Sequence, residues 1–347
     1  MACAWSRTWR PSSTRPRTRA KVRARSWRSA RRSGAAADGP PPTRHQKAPA
    51  MGSPPRMFRT LMFAPGSRPE LLAKAQAGDA DALIFDLEDS VPAQAKDEAR
   101  RHVAQALAAG LRKPVYLRVN NPRAGDFHGD LAVLDHAAGL DRVMGVILPK
   151  ADDADDVRVV AAGLDALEAR TGATPGTLGI LPLIETCLGL RNTFDIARAS
   201  PRVAGMALAS AEEGDFMVDL GGHWTPHSRA LAYPRGKLVV DARAAGLDWI
   251  VDGVFMNLRD ADALRAECAL ARELGFVGKM AIHPAQVATM HEVFTPGAEE
   301  VAHAEGLMAA YREGAEHGIG AVKYRGMMVD LANVRMAERT LALARGR

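Results

Sequence analysis

From Thr60 onward, short apolar runs recur at regular intervals, and the stretches between them carry helical periodicity. The runs fall at residues 60–65, 82–87, 115–119, 145–149, 178–184, 203–209, 249–256 and 279–282. Amphipathic segments such as 70–77, 95–109, 153–169 and 261–274 separate them. A strand covered on both faces reads as a continuous apolar run, and parallel strands need a crossover that is usually helical. Eight such units in about 225 residues predict an α/β chain closed into a (β/α)₈ TIM barrel. The competing arrangement, an open doubly wound sheet, usually carries a glycine fingerprint after its first strand, and Ala64-Pro65-Gly66-Ser67 is not one.

About 60 residues follow the eighth run, more than a barrel needs. They predict helices over 296–316 and 331–344 around a short turn at 323–326, an appended C-terminal helical extension serving as a lid or an oligomer arm. The predicted organisation is therefore a leader over 1–56, a catalytic barrel over 57–290 and the extension over 291–347.

The net charge of +6 is unevenly distributed. Residues 1–56 hold 12 Arg and 2 Lys against one acid, Asp38, and the remainder of the chain is net negative at −7. The leader is rich in Arg, Ser, Pro and Ala and cannot bury a core of its own. A basic nucleic-acid arm, a transit peptide and an upstream stretch ahead of a start at Met51 or Met57 compete for it. The last is favoured, because Trp5, Trp9 and Trp27 among many Arg resemble translated GC-rich leader. The acidic body gives no reason to expect nucleic acid. No apolar run approaches the roughly 20 residues of a membrane span. Cys3, Cys187 and Cys268 form no CxxC pair, which fits a reducing cytoplasm.

In a barrel of this kind the chemistry sits where the strands end. The second run ends in Asp86-Leu87-Glu88-Asp89, the third in Arg118-Val119-Asn120, the fourth in Pro149-Lys150 and the fifth in Glu185-Thr186. The sixth leads into Glu212, Glu213 and Asp215, and the eighth ends in His283-Pro284. Loops are exposed and often charged, but that accounts poorly for reactive groups after most of eight strands. Oxygen ligands without clustered His or Cys suit a hard cation such as Mg²⁺ and disfavour zinc. His223 and His227 have the spacing of helical ligands, but Pro226 between them predicts a loop.

The chain resembles the citrate lyase β-subunit-like family, which includes malyl-CoA and citramalyl-CoA lyases. The resemblance rests on Arg59 to Pro69 (RTLMFAPGSRP), Ala82 to Val91 (ALIFDLEDSV), Leu117 to Asn120 (LRVN), Leu148-Pro149-Lys150 and Pro182 to Thr186 (PLIET). It continues through Asp215-Phe216, Asp219-Leu220-Gly221, Gly278 to Pro284 (GKMAIHP) and Gly326 to Asp330 (GMMVD). It implies a barrel assembled as trimers or hexamers, with Mg²⁺ (or Mn²⁺ in its place) held by Glu185 and Asp215. It implies that Arg118 contacts an α-keto acid and that Asp330 reaches a neighbouring subunit's site as the acid–base group. Arg59, Arg68 and Lys74 fall where members contact CoA phosphates. The stretch Ala209 to Gly214 departs from the family's Gly-rich pattern, which leaves Glu212 or Glu213 as alternative ligands.

Plainer roles compete. Asp330 suits an N-cap of the helix that follows. Glu88 and Asp89 suit caps or groups supporting the site, with Glu88 also a candidate catalytic residue, and Lys150 suits a solvated loop or a partner for substrate charge. The expected activity is a Mg²⁺-dependent carbon–carbon lyase acting on a CoA thioester. A thioester hydrolase, a citrate lyase β subunit acting on a carrier-protein thioester and a non-catalytic subunit are the alternatives.

Overall fold

The computed structural model describes residues 57–225 and 229–345. The leader and His227 therefore lie outside the described residues. Eight parallel strands pair in chain order: β1 (Thr60–Pro65), β2 (Ala82–Asp86), β3 (Val115–Arg118), β4 (Val143–Leu148), β5 (Gly179–Ile184), β6 (Met206–Leu208), β7 (Ile250–Asp252) and β8 (Gly278–Ala281). β8 pairs back onto β1, Leu61 opposite Met280, and closes the barrel. Around it lie α1 (Pro69–Ala75), α2 (Lys96–Ala108), α3 (Phe127–Ala132), α4 (Ala154–Thr171), α5 (Cys187–Arg191), α6 (Thr193–Arg198), α7 (Asp215–Leu220), α8 (Arg229–Ala244), α9 (Ala261–Leu274) and α10 (Val287–Phe294).

The period-two alternation of each strand divides its apolar run between two cores. Leu61, Ile84, Tyr116, Ile147, Leu181, Val251 and Met280 point inward, and Trp249 stacks on Tyr116 at a centroid distance of 5.6 Å with Phe58 beneath. Met62, Leu83, Leu117, Val146, Ile180 and Ile250 point outward against the helices. Gly145 is where only glycine fits: its φ is +134°, and a Cβ would lie 1.9 Å from the Gly179 carbonyl oxygen.

Two of the outward strand positions are charged. Asp252 of β7 and Lys279 of β8 meet Arg235 of α8 and Glu267 of α9 in a buried quartet. Lys279 Nζ donates to Asp252 Oδ2 and to Glu267 Oε1, both at 2.7 Å. Lys279→Met is expected to destabilise the protein by about 3–5 kcal/mol, because it strands two buried carboxylates on one guanidinium. Denaturant unfolding checks this, and a loss below about 1 kcal/mol would show that the quartet is dispensable.

The extension comprises α11 (Ala298–Glu316), a hairpin of β9 (Val322–Tyr324) and β10 (Met327–Val329), and α12 (Leu331–Arg345). The turn expected at 323–326 is the tip of this hairpin, where Arg325 and Gly326 both take positive φ, as a two-residue hairpin loop requires. Ala304, Leu307, Val329, Val334, Ala337 and Leu341 form its own small core. The boundary expected at 290 falls inside α10, whose Met290 and Phe294 belong to the barrel's outer core, so the extension begins after it. Among the described residues no helix is long and apolar enough to cross a membrane.

Candidate active site at the C-terminal mouth of the barrel

The inward alternation that places Ile84, Tyr116 and Leu183 in the barrel continues to the strand ends. There it delivers polar residues: Asp86 two after Ile84, Arg118 two after Tyr116, Glu185 two after Leu183. Asp86 and Arg118 sit opposite each other in the β2–β3 register. Arg118 donates from Nε to Asp86 Oδ1 at 2.7 Å and from Nη2 to Asp86 Oδ2 at 2.6 Å. Its Nη1 lies 3.0 Å from Glu88 Oε2, and its guanidinium lies 4.8 Å from the centroid of the Phe63 ring. One edge of the Arg118 fork is thus committed to Asp86, and the N–H groups left for a substrate are those of the two terminal nitrogens.

Above this pair the acids converge on Lys150. Its Nζ is 2.5 Å from Glu88 Oε1, 2.8 Å from Asp89 Oδ2 and 3.1 Å from Asp215 Oδ2. Its backbone N–H donates to Glu185 Oε2 at 3.0 Å. Lys150 holds a left-handed backbone, φ +49°, one of two such non-glycine residues described and the one inside a charged cluster. Burial, Glu88 and Asp215 push the Glu185 carboxyl up to about 8 against the pull of Arg118 and Lys150. Burial likewise raises Glu88. Burial works against the Lys150 ammonium, but hydrogen bonds to Asp89 and Glu88 outweigh it and hold the charge. A mouth that draws several carboxylates around one cation, with Glu185 4% exposed, is a place where positive charge is strongly favoured.

The other candidates divide. Neither Glu212 nor Glu213 forms an ion pair among the described residues, whereas Asp215 reaches Lys150 from the first turn of α7. Arg68 and Lys74 are exposed, on the loop after β1 and on α1, with Arg68 paired to Glu70. Arg59 is at the opposite end of the barrel. It precedes β1, and its guanidinium donates to Asp81 at 2.6 and 2.9 Å and to Thr295, away from the cluster around Lys150. Asp330 caps α12: Ala332 N–H donates to its Oδ1 at 2.9 Å, and among the described residues it touches no group of its own chain's mouth. His283 caps the turn after β8, accepting from Ala285 N–H at Nδ1, and His223 lies in a loop.

The family described as HpcH/HpaI aldolase/citrate lyase matches residues 59–284, the whole barrel from β1 to the end of β8. The chain belongs to this family. It is a carbon–carbon lyase of the citrate lyase β type. It is 35% identical to the citrate lyase subunit β of Leuconostoc mesenteroides subsp. cremoris over 292 residues, which cover 83% of this chain and 94% of that one. It is also 35% identical to the L-malyl-CoA/β-methylmalyl-CoA lyase of Cereibacter sphaeroides over 305 residues, 82% and 94% of the two chains. Among solved structures, CitE from Mycobacterium tuberculosis in complex with magnesium, acetoacetate and coenzyme A superposes with a TM-score of 0.65 at 29% identity, over 83% of this chain and 98% of that one.

Within this lyase, the site also uses residues that motif reading passed over. Lys96 Nζ donates to the carbonyls of Leu87 and Glu88 and to Asn120 Oδ1, at 2.7–2.8 Å, and so fixes the end of β2 to that of β3. Asp130, buried, accepts from the Asn120 backbone and amide. The strand alternation signals Asp86, but nothing local signals Asp130, which reaches back from α3 across ten residues.

Proposed function

We propose that this lyase cleaves, or in reverse forms, the bond between the second and third carbons of a 3-hydroxyacyl-CoA thioester such as malyl-CoA or citramalyl-CoA. The products are an acyl-CoA and an α-keto acid. The observation that carries the reading is the buried Arg118 set against Glu88, Lys150, Glu185 and Asp215 at one barrel mouth, in a chain with this likeness to a malyl-CoA lyase.

Glu185 and Asp215 are the residues to hold Mg²⁺. The donor set fits: both are carboxylates, Asp215 Oδ2 lies 3.1 Å from the Lys150 ammonium, and Glu185 Oε2 accepts from the Lys150 backbone N–H at 3.0 Å. Two protein carboxylates would leave positions for substrate and water, as Mg²⁺ prefers. Mn²⁺ is an expected substitute. When bound, the cation would polarise the substrate oxygens and acidify the 3-hydroxyl.

The chain's own groups do the rest. As the 3-hydroxyl gives its proton to water at the open mouth, the carbon–carbon bond breaks. Its electron pair passes to the thioester α-carbon, and the third carbon becomes the keto carbonyl. Arg118 offers N–H groups and a fixed charge to the keto acid's oxygens as they form. Asp86 and Glu88 hold that guanidinium in place, and Glu88 also orients Lys150 toward the acids. A carboxyl is needed to exchange a proton with the α-carbon, and Asp330 of a neighbouring copy is the group assigned to it. Arg68 and Lys74, exposed near the first strand end, are assigned to the CoA phosphates.

Support for shared sites comes from unpaired apolar surface. Met328 and Met336 of the extension are each 72% exposed, with Met327 and Leu331 beside them, and Leu188 and Val218 are exposed on α5 and α7 near the mouth. A second copy of this chain covering the one with the other gives a head-to-tail ring, a trimer or a hexamer of two such rings. Free Cys187 and Cys268 suit the reducing cytoplasm assigned to it.

The test is incubation of the purified protein and Mg²⁺ with malyl-CoA and with citramalyl-CoA, with products resolved by mass. Acetyl-CoA with glyoxylate or pyruvate is the expected result, lost in excess chelator. Free CoA with the intact hydroxy acid would mean a hydrolase, and activity on carrier-protein thioesters alone would mean a citrate lyase subunit.

A further inference from the structure

The buried quartet of Arg235, Asp252, Glu267 and Lys279 takes no direct part in this chemistry, yet one branch of its hydrogen bonding leads to the mouth. Both oxygens of Asp252 are engaged: Arg235 donates to Oδ1 at 3.0 Å and to Oδ2 at 2.9 Å, and Lys279 donates to Oδ2. A carboxylate held this way cannot turn. Its Oδ1 also accepts from Ser210 Oγ at 2.9 Å, and Ser210 Oγ in turn accepts from Gly253 N–H at 3.0 Å. The Ser210 hydroxyl is therefore fixed as donor and acceptor at once, and the residue is fully buried. Gly253 is packed so closely that a Cβ would lie 2.4 Å from Ser210 N.

Ser210 opens the loop that carries Asp215. The residue before it, Ala209, donates its N–H to the Ile184 carbonyl, one residue before Glu185. The residues after it turn through a Gly214 N–H to Ala211 carbonyl bond at 3.3 Å, and α7 then begins at Asp215. Asp215 is half-exposed and its side chain contacts only Lys150 among the described charged side chains, so its placement comes from the backbone on either side of it. On the C-terminal side the buried Phe216 and Met217 anchor α7. On the N-terminal side, through the loop from β6, the nearest buried and hydrogen-bonded side chain is Ser210.

We infer that Ser210, locked to the Asp252 carboxylate by the buried quartet, is a positioning residue that sets Asp215 against Glu185 for the divalent cation. The inference rests on the reading of Glu185 and Asp215 as the cation ligands. It gives the four buried charges a function: they make a stiff footing under one side of the metal site, where an apolar cluster would leave the Ser210 hydroxyl without a partner.

The experiment is calorimetric titration of Mn²⁺ into the full-length, substrate-free protein, with thermal melting alongside, for the wild type, Ser210→Ala, Ser210→Cys and Asp215→Asn. Ser210→Ala should weaken Mn²⁺ binding by about 10–100-fold, while the melting temperature falls by only about 2–4 °C. Ser210→Cys, with a weaker donor in nearly the same space, should fall between it and the wild type. If Asp215→Asn weakens Mn²⁺ binding and both Ser210 variants bind as the wild type does, the positioning role is wrong and the ligand assignment stands. If Asp215→Asn itself binds Mn²⁺ normally, the ligand assignment fails and the inference falls with it.

Discussion

Replacing Glu185 with Gln is expected to lower kcat/KM at least about a thousandfold, the loss of roughly 4 kcal/mol of transition-state stabilisation, while making the metal-free protein more stable at neutral pH. The two effects have one cause. Glu185 is buried beside Glu88 and Asp215, and its carboxyl is pushed from 4.5 up to about 8. A group whose folded pKa is raised adds stability that is fully present below its unfolded pKa and lost as the pH climbs through the folded one. In chelator, the wild type should therefore melt at falling temperatures between about pH 5 and pH 8, and the Gln variant should lack most of that slope. Gln keeps an oxygen to accept from Lys150 N–H, so the fold has no reason to suffer. Added Mn²⁺ should restore the wild type and leave the variant unmoved. Melting curves across pH with and without metal, beside steady-state kinetics, check all of this. Wild-type Mn²⁺ affinity in the variant would remove Glu185 from the metal site.

Much of this site was legible in the sequence because a buried parallel strand leaves two signals. Its apolar run is continuous, and its inward parity can be followed past its end to whatever polar residue comes next. Glu88, Arg118 and Glu185 lie on that parity, Lys150 and Asp215 were readable only as charged residues following a strand, and the structure brings all five into one cluster of hydrogen bonds and ion pairs. Run lengths were less secure. The run at 249–256 narrows to Ile250–Asp252, because Gly253 turns to pack against Ser210. The run at 203–209 narrows to Met206–Leu208, with only an isolated bridge from Val203 to Ile180. Arg59 shows the limit of reading by neighbourhood. It stands nine residues before Arg68 in one motif, but a six-residue strand lies between them, and about 20 Å of extended chain puts them at opposite ends of the barrel. The quartet was invisible for a related reason. Asp252 and Lys279 lie inside apolar runs, and their partners Arg235 and Glu267 come from two helices whose facing sides only the closed barrel determines.

Two inactive variants, Arg118→Ala and Asp330→Ala, are expected to regain activity when mixed. Each alone should lose at least about a hundredfold, one through the charge at the keto acid and the other through proton exchange at the α-carbon. Asp330 lies at the exposed start of α12, and among the described residues it bonds only to its own helix and nothing connects it to Arg118. The proposed connection runs between copies, with the exposed Met327, Met328, Leu331 and Met336 buried against a neighbour as Asp330 enters that neighbour's mouth. In a head-to-tail ring each site takes Arg118 from one copy and Asp330 from the next. Random mixing in equal amounts then leaves about one quarter of the sites with both wild-type residues. Activity should climb toward that fraction at the rate of subunit exchange, and tagged copies of the two variants should co-purify. Met336→Glu gives the companion result: a charge in the covered surface should dissociate the ring and abolish activity while the isolated chain keeps its melting transition. Mixed oligomers that stay inactive, or a fully active wild-type monomer, would place the acid–base group elsewhere and return Asp330 to the cap it makes on α12.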